Sequence, residues 1–136
     1  MIVFGDLEIM ARTVFGEARG EERLGKIAVA WVIVNRWKSG RWFAGDTLSA
    51  TCLMPWQFSC WNPNDPMRPK IEAVTLDKPS FRACTNVSLM VIADEYPDPT
   101  SGATHYYASH IGTPVWAVGK TVDKTIGRHL FFRNID

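Results

Sequence analysis

An unbroken apolar run over residues 27–34 constrains the fold of this chain more than any other segment. The run has no polar side, so whatever element it forms must be buried on more than one side. Its β-branched residues are compatible with a strand, but it is longer than a typical strand and has no turn residue inside it. We therefore predict a central, buried helix over residues 21–38 that is closed by Ser39 and Gly40.

Two further helices are predicted on either side of this central one. Apolar residues recur at helical spacing over residues 7–15, with Asp6 as the N-cap, and Gly16 and Gly20 interrupt the pattern. A third helix is predicted over residues 80–95, capped by Ser80 and ended by the prolines that follow.

The remaining segments lack helical periodicity. Residues 41–79 are rich in Pro, Asn, Asp and Trp, which predicts a long, ordered loop region that forms the wall of a cleft. Short apolar runs over residues 103–108, 115–118 and 129–132 predict a small antiparallel sheet. Three helices followed by such a sheet make an α+β fold.

Length and composition limit the classes of function. The chain has 136 residues and 46% apolar residues, which suits one monomeric domain with a single core. A net charge of +1 argues against nucleic acid as a partner. The apolar run is far shorter than the ~20 residues of a membrane span, so no membrane insertion is expected.

Targeting signals and cysteine chemistry are also limited by the sequence. Residues 1–6 carry neither a basic start nor an apolar signal core, so we expect no Sec signal peptide. The three cysteines have no CxxC spacing, which predicts reduced, structural thiols and no zinc ribbon. We expect neither a metal nor a cofactor.

Glu17 is the first candidate for chemistry. Cleavage of a glycosidic bond needs a carboxylic acid that remains protonated near neutral pH, and such an acid must be poorly solvated. Glu17 stands between Phe15 and a glycine-flanked turn, where apolar neighbours can raise its pKa and the missing side chain of Gly16 can let a sugar approach. On spacing alone, a solvated Glu in a turn between helices is the simpler interpretation.

Four sequence blocks, in order along the chain, favour a catalytic role for Glu17 over this simpler interpretation. They are residues 11–36, which include Gly16-Glu17-Ala18-Arg19-Gly20-Glu21, then residues 57–62, 104–107 and 126–131. Together these blocks resemble the SleB/CwlJ-type cell wall hydrolases, which are spore cortex-lytic enzymes and their phage relatives. The resemblance spans nearly the whole chain, so residues 1–136 are expected to form a single catalytic domain without a separate wall-binding domain.

The resemblance implies a lysozyme-like fold related to lytic transglycosylases and peptidoglycan glycan strands as substrate. It also implies Glu17 as the single catalytic residue of a muramidase or lytic transglycosylase. In the lytic transglycosylase route, the carboxyl group protonates the oxygen between N-acetylmuramic acid and N-acetylglucosamine. It then accepts a proton from the muramic 6-hydroxyl, which closes a 1,6-anhydro ring without a second carboxylate.

Two neighbours of Glu17 are possible supporting residues. Glu21 would share a face with Glu17 if the helix were unbroken, but Gly20 interrupts the pattern. A capping or dipole role at the start of the second helix is therefore favoured. Arg19 could orient a carboxylate or the muramic lactyl group, and a surface salt bridge is an equal alternative.

Two segments are predicted to bind the substrate. In the loop, Gln57, Ser59 and Asn62 can hydrogen-bond sugars, while Phe58 and Trp61 offer either apolar faces to a pyranose ring or core packing. The first strand carries His105, Tyr106 and Tyr107, and alternation along a strand allows only one of the two tyrosines to face the cleft.

Two other functions compete with the glycosidase. A zinc-dependent N-acetylmuramoyl-L-alanine amidase would need a metal site that includes His105, His110 and His129, whose spacing matches no common zinc motif. The other alternative is a catalytically inactive wall-binding module. The absent signal and the phage-like segment over residues 57–65 favour a phage endolysin, made in the host cytoplasm and released to the wall through a holin.

Overall fold

The computed structural model describes residues 5–136. Residues 1–4, on which most of the signal-peptide prediction rests, lie outside the described residues. The described part contains five helices and one three-stranded sheet: α1 (Asp6–Ala18), α2 (Arg23–Ser39), α3 (Leu48–Leu53), α4 (Arg68–Ala73), α5 (Pro79–Ile92), β1 (His105–Ala108), β2 (Lys124–Ile126) and β3 (His129–Phe132).

Helix α2 is the centre of the fold, as the apolar run predicted. All residues from 27 to 34 are buried, and none is more than 7% exposed. The helix ends at Gly40, whose left-handed conformation (φ 64°) closes it. Helices α1, α3 and α5 pack around α2, so the run is covered on several sides and the strand alternative is excluded.

Both outer helices form, with different first residues from those predicted. Gly5 is the N-cap of α1, and Asp6 is a buried residue of the helix whose Oδ1 accepts hydrogen bonds from the main chain (3.0 Å) and hydroxyl (2.6 Å) of Ser49. Asp6 therefore connects α1 to α3. Helix α5 follows Lys78 and contains Ser80, so Ser80 is not the cap.

The prediction of a loop over residues 41–79 was wrong in part. This region contains α3, α4 and a short 3-10 helix at Ser59–Trp61. Each of these helices is too short to show a clear period in the sequence, and contacts with α1 stabilise them. For example, Arg12 of α1 donates to the carbonyl oxygens of Ile71 and Val74 at the end of α4.

The sheet is antiparallel with the order β1-β3-β2. The predicted strands over residues 103–108 and 129–132 are present, but residues 115–117 form a 3-10 helix, and the sequence analysis missed β2. Pro114 restricts the backbone before the 3-10 helix, and β2 is too short and polar to give a strand pattern. The predicted α+β class is confirmed, with five helices instead of three.

Two further predictions concern the cysteines and the length of apolar helices. Cys52, Cys60 and Cys84 are buried and free, in agreement with structural thiols. Across residues 5–136, no helix combines the length and the apolar character that a membrane span requires.

Gly16 is needed where the 3-10 helix crosses α1. A Cβ at this position would lie 2.7 Å from Cβ and 2.8 Å from Sγ of Cys60, and 3.0 Å from a methyl carbon of Ile71. Both side chains are buried and cannot move away cheaply. Packing within the protein is therefore sufficient to account for the glycine, and its predicted role in access for a sugar stays a prediction.

We expect Gly16→Ala to destabilise the protein by about 1–3 kcal/mol, because the added methyl group overpacks the contact with Cys60. Urea denaturation measures the change in the free energy of unfolding. Gly112→Ala is the matched control, since a Cβ there meets no atom within 4 Å. Equal stability of the two variants would contradict the close contact.

Candidate active site

Two adjoining pockets meet at Glu17. The first, the Glu21 pocket, has a volume of about 450 Å³ and is lined by residues that include Arg19, Glu21, His110, Arg128 and His129. The second, the Gln57 pocket, has about 440 Å³ and is lined by residues that include Arg36, Trp56, Gln57, Ser59, Tyr106 and Tyr107. Glu17, Ala108, His110 and His129 line both pockets, so Glu17 lies at the middle of a longer cleft.

Glu17 belongs to the last turn of α1, and a strand holds its carboxylate. The Tyr106 hydroxyl of β1 donates a hydrogen bond of 2.6 Å to Glu17 Oε1. Glu17 thus lies between a helix and a sheet, and not in a solvated turn between helices as in the simpler interpretation. Its side chain is partly buried and reaches both pockets.

Burial raises the pKa of Glu17 above the usual value for a glutamate. Hydrogen bonds from Tyr106 and from the thiol and main chain of Cys60 act in the opposite direction, and the charge of Asp65 adds a smaller increase. Because burial dominates, the neutral acid is favoured relative to a solvated glutamate. A carboxyl group in this state can donate a proton at a pH where ordinary carboxylates cannot.

Arg36 places a positive charge beneath the Gln57 pocket. Its guanidinium lies 4.7 Å from the Phe58 ring centroid, and it donates to the Thr104 carbonyl oxygen and to Gln57 Oε1. Burial lowers the pKa of Arg36 to about 10, so the side chain stays charged at neutral pH. The charge favours the anionic form of Glu17 once a proton has left it.

Glu21 connects the end of α1 to the turn between β2 and β3. Its Oε1 accepts a hydrogen bond of 2.8 Å from the main chain of Arg128, and its Oε2 lies 3.4 Å from Arg128 Nε. Gly127 adopts a left-handed conformation (φ 57°), and a Cβ there would collide with the Glu21 carboxylate. Glu21 lies outside α2, whose N-cap is Glu22, so the predicted capping role was wrong, and the alternative dipole role stays a prediction.

The predicted substrate residues of the loop separate into three groups. Gln57 and Ser59 line the Gln57 pocket. Trp61 and Asn62 line a third pocket next to it, with the Trp61 Nε1 bonded to Thr13. Phe58 is 1% exposed beneath Arg36, so it fills the core and has no face for a sugar.

The strand residues are separated by the alternation of β1. Tyr106 contacts Glu17, whereas the Tyr107 ring stacks on Phe132 with a centroid distance of 5.7 Å and only borders the Gln57 pocket. His105 is 5% exposed between Phe43 and Trp116, so it is not brought to the cleft. Burial and the charges of two arginines lower the pKa of His105 to about 4.

Arg19 is exposed at the rim of the Glu21 pocket. Its guanidinium lies over the Phe15 ring, 5.8 Å from the centroid, and its Nη1 is 3.5 Å from the Gly16 carbonyl oxygen. Arg19 therefore contributes to the rim of the pocket while its guanidinium packs on α1.

The three histidines needed for the amidase alternative do not form one cluster, although His110 and His129 both line the cleft. His105 packs with Phe43 and Trp116, while His129 packs with Tyr106 at the cleft. Within residues 5–136, no three His, Cys, Asp or Glu side chains form a group that could hold a metal ion. The arrangement of donors therefore does not favour zinc chemistry.

Four residues of the cleft were not predicted as glycosidase site residues, although His110 and His129 were considered as metal ligands for the amidase alternative. Arg36 and His129 lie within the blocks that carry the resemblance, but a lone Arg in a helix and a lone His in a strand give no local signal. The other two, Trp56 and His110, lie in irregular segments that fold back to the cleft. The structure alone places them beside Glu17.

A family model described as Cell Wall Hydrolase matches residues 20–132 of this chain. The spore cortex-lytic enzyme of Halalkalibacterium halodurans is 32% identical over 126 residues, which cover 93% of this chain and 34% of that protein. The enzyme of the same name from Oceanobacillus iheyensis is 35% identical over 133 residues, which cover 93% of this chain and 41% of that protein. The chain thus spans about two fifths or less of the length of these relatives.

Two solved structures have a similar fold. The catalytic domain of the Bacillus cereus SleB protein superposes with a TM-score of 0.72 and 27% identity, covering 98% of this chain and 93% of that one. The catalytic domain of SleB from Bacillus anthracis, described as a germination-specific lytic transglycosylase, gives 0.74 and 28%, covering 96% of each chain. The SleB-type resemblance and fold are thereby confirmed.

The hydrogen bond between Tyr106 and Glu17 predicts a direct effect on titration. We expect Tyr106→Phe to raise the pKa of Glu17 further, because the hydroxyl group stabilises the carboxylate form. Carbon-detected NMR of the labelled glutamate side chains measures this pKa. Tyr107→Phe, on the other face of β1, is the control, and a lowered pKa in Tyr106→Phe would contradict the assigned bond.

Proposed function

The chain belongs to the cell wall hydrolase family, and on that premise we propose that it cleaves the β-1,4 bond between N-acetylmuramic acid and N-acetylglucosamine in peptidoglycan. Glu17 acts as the general acid and then as the general base. The observation that carries the proposal is the position of Glu17, a carboxyl group with a raised pKa at the junction of two pockets. A bond in the middle of a polymer requires space on both sides of the acid, and the two pockets provide it.

In the first step, Glu17 protonates the bridging oxygen and the bond from that oxygen to the muramic C1 breaks. Tyr106 donates to Oε1, so the acidic proton is carried on Oε2. Loss of this proton leaves a carboxylate, which the Tyr106 hydroxyl and the charge of Arg36 stabilise. The same contacts therefore assist the step in which Glu17 becomes an anion.

In the second step, the muramic 6-hydroxyl attacks C1 and transfers its proton to Glu17. A 1,6-anhydro ring forms, no water is consumed, and Glu17 returns to its neutral form. A glycosidase that uses water instead has a second carboxylate, about 5–5.5 Å or 6.5–9.5 Å from the acid. The transglycosylase route needs only one.

The burial and contacts of Glu21 support the route that uses one carboxylate. Glu21 lines the pocket next to Glu17, but its side chain is only 8% exposed and is occupied by Arg128. A nucleophile or base must be free to approach the sugar or a water molecule. The carboxylate of Glu21 instead secures the wall of the pocket, so we propose lytic transglycosylation over hydrolysis.

Arg19 and Ser59 contribute binding groups on opposite sides of Glu17. Arg19 at the rim of the Glu21 pocket can pair with an acidic group of the muramic acid or its peptide. Ser59 in the Gln57 pocket is exposed and, with Gln57, can hydrogen-bond sugar hydroxyls or N-acetyl groups.

The biological setting is proposed from the sequence. Residues 57–65 resemble phage and Gram-negative members of the family, which favours ordinary peptidoglycan as substrate and host lysis by a phage endolysin. The relatives named above are spore cortex-lytic enzymes. Activity on vegetative sacculi compared with decoated spores distinguishes the two settings.

Replacement of the acid tests the proposal most directly. We expect Glu17→Gln to lower the rate of turbidity loss of purified sacculi by about 10²-fold or more, because the amide cannot donate the proton. Glu22→Gln, an exposed carboxylate nearby, is the matched control. Circular dichroism checks that both variants fold.

Retained lysis by Glu17→Gln would refute the assignment of the acid. Treatment of the parent protein with EDTA separates the amidase alternative, since loss of activity that zinc restores would indicate metal-dependent amide cleavage.

The reaction products show whether water or the muramic 6-hydroxyl attacks C1. We expect digestion in H₂¹⁸O to give anhydromuramic ends without ¹⁸O, because the attacking oxygen belongs to the sugar. Mass spectrometry of the soluble fragments measures the label. Reducing muramic ends that carry ¹⁸O would show hydrolysis and would require a second catalytic group.

A further inference from the structure

Trp56 is the most exposed tryptophan of the cleft. Its side chain is 75% exposed, and its backbone has a φ of 65°, a left-handed conformation that is costly for a bulky residue. Residues held in such conformations cluster at ligand-binding and catalytic sites, where the surrounding structure holds them in place. An exposed, strained tryptophan beside Glu17 therefore requires a physical reason.

The backbone around Trp56 is held by short-range hydrogen bonds. The Met54 amide bonds to the Thr51 carbonyl oxygen (3.4 Å) at the end of α3, and the Gln57 amide bonds to the Met54 carbonyl oxygen (3.2 Å). Trp56 lies inside the second of these turns. The turn fixes the direction of the backbone and presents the ring to solvent.

Trp56 separates two pockets of the same surface. On one side it lines the Gln57 pocket together with Glu17. On the other side it lines the third pocket, here called the Asn62 pocket, which has a volume of about 240 Å³. A chain that leaves the Gln57 pocket in this direction must cross the Trp56 ring.

The chemistry of the Asn62 pocket suits a sugar ring. Trp61 contributes a partly buried aromatic face, and the guanidinium of Arg68 lies 5.7 Å from the centroid of that ring. Asn62 adds an amide group with two donors and an acceptor. A pyranose offers a C–H face to an aromatic ring and hydroxyl and N-acetyl groups to polar side chains at its edge.

We propose that Trp56 is a platform on which the glycan strand crosses from the cleavage site into the Asn62 pocket, which holds a further sugar. The inference rests on the proposed function for its substrate class, an N-acetylated glycan. It adds a binding subsite that is distant from the reacting bond. Trp56 itself does not touch the reacting atoms.

Binding of glycan fragments to a non-cleaving protein tests the platform. The host is Glu17→Gln, and the ligands are peptidoglycan fragments of two, four and six sugars, measured by calorimetry. We expect the affinity to rise with the length of the fragment. We expect Trp56→Ala to lower the affinity for the longest fragment about tenfold, which corresponds to one lost ring contact. Trp56→Phe, which keeps a ring, retains most of the affinity.

Trp42→Ala is the matched control, because Trp42 is 67% exposed and lies outside both pockets beside Trp56. Equal affinity of the Trp56→Ala and Trp42→Ala proteins for all fragments would overturn the platform. Lysis by Glu17→Gln would refute the proposed acid, whereas equal affinities in a non-cleaving host refute only the platform, so the two failures are distinguishable.

Kinetics in the cleaving protein give a second readout. We expect Trp56→Ala to raise KM for long glycan strands with kcat nearly unchanged, because the contact is made equally in the ground state and the transition state. A lowered kcat at unchanged KM would overturn the platform role.

Discussion

The hydrogen bond from the Tyr106 hydroxyl to Glu17 Oε1 is the contact on which the site depends. It joins the last turn of α1 to the first strand of the sheet, 89 positions apart in the chain. Without it, no hydrogen bond from the sheet would orient the carboxylate at the junction of the two pockets. The bond also stabilises the carboxylate form, so one contact contributes to both the geometry and the acidity of Glu17.

Two opposing effects set the protonation of that carboxyl group. Burial favours the neutral acid, and the hydrogen bonds from Tyr106 and Cys60 favour the anion. In the proposed reaction, Glu17 gives one proton to the bridging oxygen and later takes another from the 6-hydroxyl, so both of its protonation states must be accessible. The balance of these two effects favours such access. The buried charge of Arg36 adds to the side of the anion without a direct bond to Glu17.

The walls of the cleft are held in place by close contacts between distant segments. Glu21 bonds to the turn between β2 and β3, and Gly16 allows the 3-10 helix that carries Cys60 to approach α1 closely. Each contact joins α1 or the segment that follows it to a part of the chain distant in sequence. These contacts explain how a small sheet and a region of short helices form a defined surface around one carboxylate, with Trp56 extending that surface outward.

The sequence by itself determined the central helix, the α+β class and the choice of Glu17 as candidate, because an apolar run and an ordered set of motif blocks are visible without long-range contacts. Only the tertiary structure decided that Tyr106 and not Tyr107 reaches Glu17, and that Phe58 and His105 are buried. It also assigned Glu21 to the turn between β2 and β3. The physical reason is that burial and hydrogen-bond partners arise from segments distant in sequence, and no local period encodes which side chain they meet.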